Sequence, residues 1–408
     1  MNRKAVVGLL KAVVLVALFA WVIHAIQWQD RVVRTDANGS VVSESIGRIL
    51  GAWDGDVVSL EVEGQRQEHR LGPIAEGGAV SVSPGLWTYF RAIDKGWFAL
   101  GALGYVLSML VAAMRWDWLL RRNDIHAGFF AVWRLTWIGV FFNNVVPGQT
   151  GGDLVKAVYI VRRSPGRKMA AAMSVIVDRI MGLGSLALLG AVVVLWDLSR
   201  FGPLAIGIWG VLLLVCGIGV VAFSRRLRKS LGLDALLDRL PTRLSAALRK
   251  VDHAVYFYRG HQRGLLAWFV LGTGNHVITI GSFYCMGEAL GIQVPLIEYF
   301  VLVPIALIVS AVPIAPNGWG VGEALFGTLF GKFAAIHVSG AVPDPEAVMR
   351  TRGVALSVLY RLHTTLWSLV GGVLLLTDRQ RLSRAELEQA GRDTEDSARR
   401  EIESDSPS

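Results

Sequence analysis

"NNVVPGQTGGDLVKA" (residues 143–157) interrupts an apolar region with proline, glycines, amides and charge. A second stretch of the same kind, "AVPIAPNGWGVGEALF" (311–326), follows later in the chain. Each runs from proline (147, 316) through glycines into a Gly-acid pair, Gly152-Asp153 and Gly322-Glu323. This punctuation ends one helix and restarts another. In a bilayer, non-helical backbone persists only where protein buries it or where it lines a wet cavity. The fold therefore turns on whether the flanking runs lie in a membrane.

Composition places them there. Of 408 residues, 53% are hydrophobic and 18% charged, with a mean hydropathy of +0.47. Soluble domains carry about a quarter charged residues. Several apolar runs reach the roughly 20 residues that cross a hydrocarbon core as helix. The net charge of +9 is gathered in short segments between those runs, "RRSPGRK" (162–168) and "SRRLRKS" (224–230). That is the positive-inside pattern of cytoplasmic loops. No basic-aromatic platform accompanies it, so nucleic acid is not an expected partner. Cys216 and Cys285 fall within apolar runs and read as packing residues, not as a disulfide framework.

Working outward, residues 1–26 form a retained first span with a basic, cytoplasmic start. Residues 27–95 form a small extracytoplasmic β-rich domain, in which "DVVSLEVEGQRQEHRLG" (56–72) reads as a β-hairpin reversing at Glu63-Gly64. The first membrane repeat, 96–224, begins with a span at 97–119. The motif follows as a re-entrant hairpin, because its second arm, 153–161, rises only about 14 Å. Spans at 168–195 and 203–223 are joined by an outer turn around Asp197 and Pro203. A basic amphipathic cytoplasmic linker occupies 225–263. It lies on the lipid surface or forms a solvated connector helix. The second repeat, 264–376, has a span at 264–287, a hairpin across 298–336 and a span at 351–376. Residues 377–408 read as a disordered, charged cytoplasmic tail. The expected fold is thus an all-α polytopic membrane protein with two inverted span–hairpin–span repeats and a β-rich insertion. The first hairpin opens towards the cytoplasm and the second outward. Inverted halves with broken helices place a transport site near the midplane.

The chemistry-bearing residues sit at those breaks. Gly151, Gly152, Gly320 and Gly322 permit tight turns and expose amides, and the helix restarts behind them suit an anion such as a lipid phosphate. Asp153 and Glu323 either cap their own helices or act in proton binding and arginine pairing. Arg179 and Arg361 lie inside apolar spans, where a lipid-facing charge costs roughly 2.5–3.5 kcal/mol. They are expected to turn inward to Asp153, Asp178 or Glu323, as fixed pairs or as headgroup ligands. Lys156, one helical step beyond Asp153, either reaches the same site or snorkels. Arg115 reads as interfacial or lipid-contacting. Asn143 and Asn144 hydrogen-bond broken backbone or bind a headgroup, and His276 is a packing residue or a proton relay. No HExxH, Cys/His cluster, nucleophile elbow or Walker loop is present in the sequence. Neither catalysis nor a metal or other cofactor is expected.

"RWDWLL" (115–120), "NNVVPGQTGGDLVKA" with Asp178-Arg179, and "PNGWGVGE" (316–323) together resemble the lysylphosphatidylglycerol synthase transmembrane-region family, also described as flippase-like integral membrane proteins. The resemblance covers roughly 97–376. It implies lipid translocation, without naming a lipid. Members that give the family its name carry an aminoacyl-transferase domain and archaeal relatives a glycosyltransferase; here 377–408 reads only as a tail. The insertion at 27–95 is a further departure. A transferase acting on a lipid-linked intermediate is disfavoured for lack of an acid–base constellation, and two functions stay open. One is a translocase for a phospholipid or polyprenyl-phosphate-linked lipid. The other is a scaffold presenting lipid to a separate lipid-modifying enzyme. Either would act in the cell membrane with both termini cytoplasmic.

Overall fold

A computed structural model of the chain describes residue 24, residues 27–36, 40–51, 53, 57–74, 78–145, 151–223, 262–310, 320–338 and 344–377. Most of the expected first span, the linker up to residue 261, both hairpin tips (146–150 and 311–319) and the tail from 378 lie outside the described residues. The chain divides into two compact units.

One unit contains residues up to 107, Ser199–Phe201 and 277–366. It opens with a six-stranded antiparallel sheet: β1 Asp30–Thr35, β2 Val41–Leu50, β3 Val57–Val62, β4 Gln65–Arg70, β5 Gly72–Pro73 and β6 Ala79–Ser83, in the order β4-β3-β2-β1-β6-β5. β3 and β4 reverse at Glu63-Gly64, both with positive φ, which matches the right-handed twist of paired strands. Val32, Ile49, Val58 and Leu60 form the buried face. Asp30 ties the sheet to the short helix α1 (Leu86–Arg91). Its carboxylate accepts from the Ile49 and Gly85 amides, each at 2.7 Å, and from the Thr88 hydroxyl at 2.8 Å.

The sheet domain is fastened to membrane helices of the same unit. Helix α2 (Lys95–Arg121) starts beside it, and the Asp94 amide donates to the Ala289 carbonyl of α7 (Gln262–Ala289) at 2.9 Å. Arg352, near the start of α10 (Pro345–Leu376), is buried against Trp53 and donates to the Tyr89 hydroxyl at 3.1 Å. Burial pushes the Tyr89 hydroxyl up, against the lowering pull of the guanidinium. Small residues let the helices approach closely: Ser282 of α7 donates to the Gly101 carbonyl of α2 at 2.6 Å. Two shorter helices, α8 (Leu296–Ser310) and α9 (Val321–Ala334), flank the second Pro/Gly motif and pack on each other, with Tyr299 and Phe330 edge to face.

The other unit contains 108–198, 202–276 and residues from 367 onward. Here α3 (Phe129–Val145) and α4 (Gly151–Arg163) flank the first motif and pack together, followed by α5 (Lys168–Val193). Apolar residues recurring along these helices join Trp116 and Leu120 of α2, so that Ile138, Val155, Ile160 and Ala171 share one buried core with them. A 3₁₀ turn at Val194–Asp197 leads into α6 (Leu198–Phe223). The Trp209 indole donates to the Ala191 carbonyl at 3.0 Å. Eighteen residues of straight helix would rise about 27 Å, so the chain reverses at that turn. The reversal corrects the expected junction in one respect, because Pro203 sits inside α6 and the turn ends at Asp197. Pro203 is the sixth residue of α6, beyond the first turn, so it removes one intrahelical amide bond near the start of the helix.

Among the described residues, three helical stretches are long and apolar enough to cross a membrane: Lys95–Arg121, Pro165–Gly210, which the turn at Val194–Asp197 divides, and Pro345–Leu376. The four helices beside the motifs have 17, 13, 15 and 14 residues. At 1.5 Å per residue they rise about 20–26 Å, short of the ~30 Å core.

Candidate functional site: two acid–arginine pairs at helix restarts

Both motifs restart a helix in the same way. Asp153 is the third residue of α4 and Glu323 the third of α9, each preceded by a glycine. In each unit the acid meets an arginine from the long helix that follows. Asp153 pairs with Arg179 of α5, and the Glu323 carboxylate lies 2.6 Å from Nε of Arg361 on α10. The preceding glycines leave no room for a side chain. A Cβ on Gly152 would overlap the Gly139 carbonyl of α3, and one on Gly322 would overlap the Arg361 guanidinium.

The two pairs differ in how the acid serves its own helix. The Glu323 carboxylate turns back to accept from the Gly320 amide at 2.5 Å, while also accepting from the Ser357 hydroxyl at 3.2 Å. Gly320, with φ 81°, adopts the left-handed region that glycine tolerates. Capping and arginine pairing thus coincide in one residue. In the other unit the capping task falls to Asn143, whose side-chain oxygen accepts from the Gly152 amide at 2.8 Å. Asp153 is left to Arg179. Exposure separates the pairs as well: the Glu323 and Arg361 side chains are 3% and 11% exposed, those of Asp153 and Arg179 25% and 29%.

Asp178 does not join Arg179 or Arg361. It pairs with Arg115 at 3.0 Å, and both are buried. Consecutive helical residues point about 100° apart, so Asp178 faces α2 while Arg179 faces α4. Arg115 is therefore held inside the protein in an ion pair with Asp178. Gly182 of α5 and Gly272 of α7 make space for its guanidinium. His276 stands nearby, its Nε2 2.8 Å from the Gly182 carbonyl, the distance of a donated hydrogen bond. The Lys156 ammonium sits 4.2 Å from the centre of the Trp116 ring, and its stem packs on Gly139. Asn144 bonds its own helix at the Val140 carbonyl, 3.2 Å away.

A further cluster escaped sequence reading. Glu298 at the start of α8 is buried and accepts two 2.7 Å bonds from Arg200, near the start of α6. It also meets His337 Nε2 at 2.6 Å, just past the end of α9. Arg200 further contacts the Phe333 carbonyl. The only signal available was a carboxylate in the first turn of a strongly apolar arm, in "PLIEYF" (295–300).

The comparisons with known proteins agree on the membrane region. A UPF0104 membrane protein of Pyrococcus horikoshii is 25% identical over 314 residues, covering 71% of this chain and 89% of the relative. Another, from Methanothermobacter thermautotrophicus, is 22% identical over 264 residues, 58% of this chain and 74% of the relative. The family model described as "Lysylphosphatidylglycerol synthase TM region" matches residues 81–372, beginning inside β6 and leaving most of the sheet domain outside. Matched from β6 to the last turns of α10, the chain is a membrane protein that belongs to the lysylphosphatidylglycerol synthase transmembrane-region family.

Proposed function

We propose that the protein is a lipid translocase that moves a phosphate-containing lipid, or a lipid-linked intermediate, between leaflets of the cell membrane. The observation that carries this reading is the repetition, in each unit, of a helix restart whose acid is held by an arginine from the following helix. The family's name ties its membrane region to a lipid. Membrane arginines cluster where function requires charge, because their insertion is otherwise unfavourable. In this reading α3–α4 and α8–α9 are re-entrant hairpins of two inverted repeats, and their shortness supports it. Each pair is a latch. A lipid phosphate competes with Asp153 for Arg179, and with Glu323 for Arg361, while the acyl chains stay in the bilayer. The reading contains no catalytic step and places both termini in the cytoplasm.

The second reading is a scaffold that presents lipid to a separate enzyme of envelope biosynthesis. A specific feature favours it: β2 exposes Val42, Ile46 and Leu50 on one face of the sheet domain, a surface suited to a partner.

Proteoliposomes containing fluorescent anionic, zwitterionic and polyprenyl-phosphate lipids distinguish the two. Protein-dependent movement of one phosphate-bearing class across the bilayer is expected. Folded, inserted protein that moves none of them would favour the scaffold.

A further inference from the structure

Away from both acid–arginine pairs, a cleft of about 210 Å³ opens between the residues that follow α2 and the bend joining α4 to α5. Its walls include Asp124 and His126 on one side and Arg163, Ser164, Gly166 and Arg167 on the other. Four features there have no use in the account so far. Ser164 is only 9% exposed, and its hydroxyl has no hydrogen-bond partner among the described residues. Such a group normally finds one, because a buried hydroxyl left unpaired keeps its desolvation penalty. No described carboxylate pairs with Arg163. Arg167 does have a partner, Asp124 at 3.0 Å, but their side chains are 51% and 68% exposed. An exposed pair of this kind contributes little to stability and exchanges readily. Finally, the cleft residues 164–167 lead directly into α5, a 26-residue helix whose N-terminus no side chain caps. The positive end of that helix dipole favours an anion.

We propose that this cleft binds a phosphate group, with Arg163 and Arg167 supplying charge, the Ser164 hydroxyl a hydrogen bond, and the α5 N-terminus its dipole. Arg167 exchanges Asp124 for the anion, and Asp124 stays hydrated. The volume accepts a phosphate with several waters of about 30 Å³ each. It falls below the ~300–1,000 Å³ of sites that enclose a drug-sized ligand, so a lipid would insert its headgroup and leave its chains outside. The site is separate from the latch pairs and stands whether or not the protein translocates lipid.

Isothermal titration of the full-length protein in an uncharged detergent, against a chloride background of equal ionic strength, tests this with two probes. Inorganic phosphate and short-chain dihexanoyl phosphatidic acid share the phosphate and differ in source. Saturable binding of either supports the site: comparable affinities identify free phosphate as sufficient, and binding of the lipid alone identifies a headgroup site. Ser164→Ala and Arg163→Gln each weaken binding about tenfold, while Arg163→Lys retains most of it. Ser164→Ala also folds at least as stably as the parent when phosphate is absent, because it deletes an unsatisfied group. Binding of neither probe above the chloride control would overturn the proposal. So would unchanged affinity in Ser164→Ala, the variant that carries the test if Arg163→Gln does not fold.

Discussion

Arg361→Ala lowers the stability of the protein by about 3–5 kcal/mol, whereas Arg179→Ala costs about 1 kcal/mol. The chemistry of the two deletions is the same, and burial makes the difference. Glu323 is 3% exposed in its side chain and cannot reach water once its arginine is gone. The Gly320 amide and the Ser357 hydroxyl remain as its only described hydrogen-bond partners. Two neutral donors do not replace a guanidinium in a low-dielectric setting. Asp153, at 25%, rehydrates when Arg179 is removed. Removing both charges, as in Glu323→Gln with Arg361→Met, recovers most of the loss, because no uncompensated charge stays buried. Denaturation of the four proteins in detergent checks the order: Arg361→Ala least stable, the double variant and Arg179→Ala close to the parent. Equal losses for the two single variants would show that Glu323 has access to water.

Gly152→Ala destabilises by about 1–3 kcal/mol, the range for overpacking a well-filled contact. The new methyl would overlap the carbonyl oxygen of Gly139, part of the α3 backbone, and would press on the Asn143 side chain at 2.7 Å. A backbone atom in a helix cannot swing away, so α3 and α4 must separate, and the Gly152–Asn143 bond goes with them. Gly322→Ala meets a movable obstacle, the Arg361 guanidinium, but moving it breaks the ion pair to Glu323. The control is Gly274→Ala in α7, where a methyl meets nothing within 4 Å. Alanine there stabilises by up to about 1 kcal/mol through helix propensity. Melting curves that place Gly152→Ala level with Gly274→Ala would contradict the close packing described for α3 and α4.

How much of this was legible in the sequence depends on the distance over which each feature is encoded. Local signals served well. Apolar runs marked the helices, and Glu63-Gly64 marked a hairpin whose strands are adjacent in the chain. The remaining sheet was hidden because β1 pairs with β6 across about fifty residues that alternate only weakly. Arg179 and Arg361 stood out because a charge inside an apolar span needs a partner. Which partner each takes depends on helix rotation, a tertiary quantity, and so Asp178 was grouped with Arg179 although it faces Arg115. Arg115, Arg200 and Arg352 sit beside aromatic or turn residues, the usual dress of an interfacial anchor. Nothing local announces that Asp178 will meet Arg115, Glu298 will meet Arg200, or Trp53 and Tyr89 will meet Arg352. His337 and Glu298 likewise come from opposite ends of two helices.

In the proposed mechanism the matched acid–arginine pairs open and close around a lipid phosphate. That mechanism is tested most directly by the initial rate of lipid movement in proteoliposomes, measured for the parent protein, Asp153→Asn and Glu323→Gln at equal amounts of folded, inserted protein. Movement of a phosphate-bearing lipid by the parent is expected, with a fall of at least about tenfold in each variant, equivalent to roughly 1.4 kcal/mol on the barrier. Movement at the parent rate in both variants would contradict it.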